Sequence, residues 1–174
     1  MNKQEIQNKL RDNHQAFIDL ILSLNDEDFL HAADGKWTAG QQLDHICRSA
    51  GAVSLALLLP KFALKMIIGK ANRPSKNYEE LVTKYKLKLE GGGRAGGHFV
   101  PGNSGLGQKK KLKDKLVKIV NALCKRTEKY NEQQLDDYIL PHPLLGKLTL
   151  REMLYFTIYH AEHHRQLVLK NLKR

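Results

Sequence analysis

Residues 149–168 read TLREMLYFTIYHAEHHRQLV, and their spacing decides the fold. Thr149 and Glu152 stand three apart just before an apolar run, the pattern of a capping box in which each side chain satisfies the other residue's orphan amide. Met153, Phe156, Ala161, Leu167 and Val168 then recur at helical steps, which predicts a helix from Thr149 to about Leu172. His160 and His164 are four residues apart within it, one turn above the other, on the face that carries Phe156 and Leu167. An imidazole directed into a core must find a hydrogen-bond partner or a metal. Two imidazoles one turn apart can ligate one transition metal.

The same periodicity recurs upstream. Ile6, Leu10, Phe17, Ile21 and Leu24 mark a first helix over about Lys3–Leu24, with His14 in its stripe. Asn25–Asp28 ends it and starts a short turn. Thr38 and Gln41 form a second capping box, opening a helix whose buried face runs through Leu43, Ile46, Cys47, Ala50, Val53 and Leu57. Pro60 ends or kinks that helix, and Phe62–Ile68 continues as a further helical segment. Tyr78–Leu89 reads as a short connecting helix, and Leu112, Leu116, Ile119, Val120 and Leu123 stripe a helix over about Gln108–Tyr130. No segment alternates polar and apolar residues convincingly. The expectation is an all-α fold, a four-helix bundle with long connections, forming a single domain over residues 1–174.

Composition narrows the function. The net charge of +11 comes from 29 Lys and Arg against 18 Asp and Glu, and it permits attraction to anionic ligands. No nucleic-acid motif accompanies it, so a solvated lysine surface is the expectation rather than a nucleic-acid partner. Gly51–Gly69 is the most apolar stretch, but Pro60, Lys61 and Lys65 interrupt it, so no membrane partner is expected. The polar amino terminus has no apolar core of a secretory signal. The two cysteines, Cys47 and Cys124, fall in apolar helical patterns as free buried thiols, in keeping with a cytoplasmic location.

Two motif readings are set aside. Gly91, Gly93 and Gly96 match GxGxxG, but they lie in the glycine-rich loop Gly91–Gly107, with no strand before them and no helix opening at their end. His160 to His164 is not an HExxH motif, because the acid, Glu162, is not beside the first histidine. His163 points about 100° away from His164 on a helix, toward the surface or toward an outer position around a metal. His45 lies four residues after Gln41, and periodicity does not fix its direction; taken alone, it reads as a satisfied or partly exposed histidine.

Residues 36–46, KWTAGQQLDHI, together with His160-x3-His164-x-Gln166 and the lead-in Pro141–Thr149, resemble the DinB/YfiT-like superfamily. The resemblance runs through nearly the whole chain in helix order, apart from the Gly91–Gly107 insert. It implies a bundle in which His45, His160 and His164 bind one divalent metal, and it implies a homodimer. The better understood relatives are thiol S-transferases and a thiol-dependent isomerase that use bacillithiol, mycothiol or glutathione. Three neutral imidazoles leave the metal an open position for a water or a thiol. Zinc or nickel is expected first, then manganese or iron. The expected partner is a small-molecule thiol or electrophilic substrate, transferred or hydrolysed; the alternative expectation is a metal-binding or structural bundle without turnover. Asp44, Gln166, His14 and His163 are the candidates for supporting or pocket roles, and no general base is identifiable.

Overall fold

Among the described residues, five helices open with a reciprocal capping box, at Asn2, Thr38, Asn77, Asn131 and Thr149. Each box fixes where its helix starts, and so fixes the angular position of every residue after it. The computed structural model describes residues 1–33, 35–67 and 69–173, with nothing drawn from the side chain of residue 67. Helix α1 spans Lys3–Ser23, α2 spans Asp26–Leu30 and α3 spans Ala39–Ala56. Next come α4 over Lys61–Ile67, α5 over Tyr78–Glu90, α6 over Lys109–Thr127 and α7 over Glu132–Asp137. Strands β1, Ile139–His142, and β2, Gly146–Thr149, form an antiparallel hairpin that feeds directly into α8, Leu150–Leu172.

Helices α1, α3, α6 and α8 make the bundle: α1 packs on α8 and α6, and α3 packs on the same two from the other side. Leu10, Phe17 and Ile21 of α1 meet a core shared with Leu43 and Ile46, Leu116 and Leu123, and Leu154 and Ile158, all at most 1% exposed. Each such side chain stabilises the fold by about 1.5–3 kcal/mol relative to exposure. The start of α8 carries an acid inside: Glu152 is 0% exposed. It accepts a bidentate pair from Arg73 at 2.6 and 2.9 Å and backbone N–H bonds from Lys76 and Thr149. That full set of donors is what permits a buried carboxylate. Among the described residues, no helix is long and apolar enough to cross a membrane.

The structure differs from the sequence reading at several connections. The α3 helix ends at Ala56, before Pro60. The following helix is Lys61–Ile67, and Ile68, expected to close it, lies outside the described residues. The β1–β2 hairpin was not expected. Its strands are four residues each, too short to show alternation, and the turn closes through Gly146 at φ +77°.

The glycine-rich stretch 91–107 forms irregular backbone with 3-10 turns at Gly97–Phe99 and Leu106–Gln108. Asp44 holds it to α3 by accepting from the Gly102 amide at 3.1 Å and the Arg48 guanidinium at 2.8 Å. Arg48 in turn donates to the His98 carbonyl at 3.0 Å. Gly40 is where the contact is closest: a Cβ there would strike the Ser104 carbonyl and stand 2.9 Å from the Phe29 ring.

Candidate metal centre

His45 lies two turns into α3, and His160 and His164 lie three to four turns into α8. Because α3 and α8 pack against each other, the three rings meet in the interior, 4–5% exposed. His160 Nε2 is 3.2 Å from His45 Nε2 and 3.0 Å from His164 Nε2. One ring nitrogen from each of the three lies within 4.8 Å of the other two.

The opposite edges of two rings are tied. His45 Nδ1–H donates to the Phe99 carbonyl at 2.7 Å, and His164 Nδ1–H donates to the Gln42 side-chain oxygen. Both acceptors are oxygens that cannot donate, so in each neutral ring the proton sits on Nδ1 and the lone pair on Nε2. Two lone pairs therefore face the Nε2 of His160, which has at most one proton to offer. At least one of the two lone pairs then lacks a proton of its own, which is the place a cation between the rings would take. The donor chemistry fits one: three neutral imidazoles suit a divalent transition metal. Tetrahedral metal–nitrogen bonds of about 2.0–2.1 Å place ligand nitrogens roughly 3.3 Å apart, close to the two separations measured from His160.

The rings are held neutral. Burial pushes His160 and His164 well below the ordinary histidine range, and neighbouring imidazoles push the same way. His45 is lowered chiefly by burial, with its bond to Phe99 and the nearby Asp44 charge opposing that. Neutral imidazole is the form that binds metal, so the three rings are in the form a metal would need.

The cluster forms part of the wall of a cavity of about 690 Å³. Leu89, Val100, Met153, Phe156 and Leu167 make much of that wall apolar, and Trp37 stands 5.0 Å from the His45 ring. Arg94 and Lys170 are exposed side chains at its edge, and among the described residues no carboxylate lines it. The insert contributes Gly93, Arg94, Ala95, Gly96, Phe99 and Val100, so it lines the cavity as well as orienting His45.

Of the supporting candidates, His163 lines the cavity, half-buried, with its ring 5.7 Å from Tyr85. Asp44 is buried beside His45, but its bonds go to Arg48 and Gly102. Gln166 is exposed and donates to Glu162 on the outer face of α8, outside the cavity lining. His14 is a core residue outside the lining, bonded through Nδ1 to the Leu10 carbonyl at 2.7 Å. Both cysteines are free and buried; burial pushes the Cys47 thiol up to about 12, which leaves it unreactive. Sequence reasoning missed Gln42, Phe99, Trp37, Tyr85 and His142. Gln42 and Trp37 lie inside the 36–46 motif, so the signal was present for them. A backbone carbonyl such as that of Phe99 leaves no signal.

Residues 9–168 match a family model described as the DinB superfamily. No curated protein and no solved structure matches the chain.

Proposed function

The chain belongs to the DinB superfamily, and from that premise we propose that it is a divalent-metal enzyme acting on a small thiol and an electrophile. His45, His160 and His164 hold the cation, zinc or nickel before manganese or iron. One observation carries the reading: two Nε2 lone pairs, fixed by Phe99 and Gln42, converge on the Nε2 of His160 at 3.0 and 3.2 Å. When bound, the cation supplies Lewis acidity toward a sulfur or oxygen donor of the ligand.

The protein's own residues do the rest. Gln42 and Phe99 keep two imidazoles in the binding tautomer and raise their basicity. The apolar wall excludes water, and Arg94 and Lys170 favour an anionic ligand at the entrance. Among the described residues, no carboxylate lines the cavity. Ionising a thiol, with a free pKa of about 8.5, asks far less than ionising water, at about 15.7. This favours thiol S-transfer over hydrolysis. A homodimer in the cytoplasm belongs to the same proposal, and sedimentation at micromolar protein tests the dimer.

The test is metal analysis of tag-free protein purified without chelator, followed by zinc titration. About one equivalent per chain is expected. A well-folded protein that takes up none overturns the reading.

A further inference from the structure

His142 ends β1 at the hairpin turn, and its ring lines the same cavity as the three clustered histidines. Its Nδ1 accepts two backbone amides, Leu144 N–H and Leu145 N–H, both at 3.1 Å. An N–H can donate only to a lone pair, so Nδ1 carries no proton and the neutral ring carries it on Nε2. The ring is clamped as well as assigned. It packs edge-on against Phe156, centroids 4.2 Å apart, and Phe156 stacks on His160 at 4.7 Å. Among the described residues, nothing accepts from His142 Nε2–H. Burial holds the ring near pKa 4, with Lys84 adding to the effect, so it stays neutral at physiological pH.

We propose that His142 Nε2–H is the cavity's hydrogen-bond donor to the ligand, and that the ligand is a thiol or electrophile carrying a carbonyl or carboxylate oxygen on a largely apolar body. A neutral donor of fixed tautomer can bond a carbonyl or a carboxylate, the ionised acceptor more strongly. The acceptor is recognised on the Phe156 side of His160, while Leu89, Val100, Leu144 and Leu167 receive the rest of the molecule. This assignment rests on the metal reading only in taking sulfur as the group directed at the three imidazoles.

Three thiol probes of comparable size test it: hexane-1-thiol, methyl 3-sulfanylpropanoate and 3-sulfanylpropanoate. Trp37 is the sole tryptophan and lines the cavity, so its fluorescence reports binding with or without metal. Cobalt(II) absorption reports the cation site separately. Two variants are compared. His142→Phe keeps a ring against Phe156 and removes both nitrogens. His142→Asn keeps an oxygen for the turn amides, as Asn does in turns, but is too short to reach the ligand. The affinity ratio of ester to alkanethiol is expected to fall about three- to tenfold in both variants. Hexanethiol and cobalt affinities stay unchanged. A fall for the carboxylate as well, equal or larger, marks a hydrogen bond; a fall for the carboxylate alone overturns the carbonyl part of the assignment. A ratio unmoved in both variants overturns the proposal. A His142-dependent ratio in protein that binds no cobalt overturns the metal reading alone.

Discussion

His14 in α1 and His164 in α8 are buried almost equally, 1% and 5% exposed, and both are kept neutral by desolvation. Their chemistry differs because of what each ring nitrogen faces. His14 satisfies Nδ1 within its own helix, through the Leu10 carbonyl one turn back. His164 directs its Nδ1 proton to Gln42 on another helix and turns its lone pair toward two more imidazoles. Burial of an imidazole is therefore no sign of a metal site. Convergence of lone pairs from helices far apart in sequence is.

The sharpest way to break this contrast is to exchange the fates of the two settings. His160→Ala removes one of the three proposed ligands and should lower zinc affinity by about a thousandfold, beyond the tenfold to hundredfold typical of outer partners. His14→Leu should leave it unchanged. Competition titration against a chromophoric chelator measures both, and equal losses would erase the distinction.

Acid separates the two next. The His14 pKa is about 4 in the folded state against 6.5 when exposed. Below pH 6.5 the unfolded chain takes up a proton that the folded chain refuses. Stability is therefore lost as pH falls from 6.5 to about 4, by roughly 3 kcal/mol from this residue. His14→Leu should remove that part of the acid slope in urea unfolding at pH 7 and pH 5. An unaltered slope would mean His14 is not the group responsible.

Gln42→Leu strips the acceptor from His164 Nδ1–H and should weaken zinc binding tenfold to hundredfold while the helix content holds. The smallest effect belongs to Asp44→Asn. Losing a charged acceptor for Gly102 and Arg48 should cost about 1 kcal/mol and speed proteolysis within residues 91–107, with zinc affinity changed only a few-fold. Proteolysis at the wild-type rate would show that Asp44 does not hold the insert.

The bundle was legible because its signals are local. Thr38 with Gln41 and Thr149 with Glu152 announce two helix starts, and the stripes after them name the buried faces. Once both starts are fixed, the facing of His160 and His164 follows from counting. The direction of His45 did not, since it depends on how α3 rotates against α8. Asp44 adjoins His45 in sequence, yet the helix turns it toward Arg48 and the insert. The hairpin was hidden by its shortness, and with it His142, whose role depends on amides two and three residues later that only the turn brings within reach. Gly91–Gly107 has no periodicity to read, and its link to His45 runs through main chain.

That last link separates two properties that usually change together. The group by which residue 99 orients His45 is a peptide oxygen, which every amino acid possesses, and the same residue also lines the cavity. Mutation at this position can remodel which molecules fit without disturbing the electron density that His45 offers. Residue 99 thus uncouples the shape of the cavity from the orientation of the ring it holds.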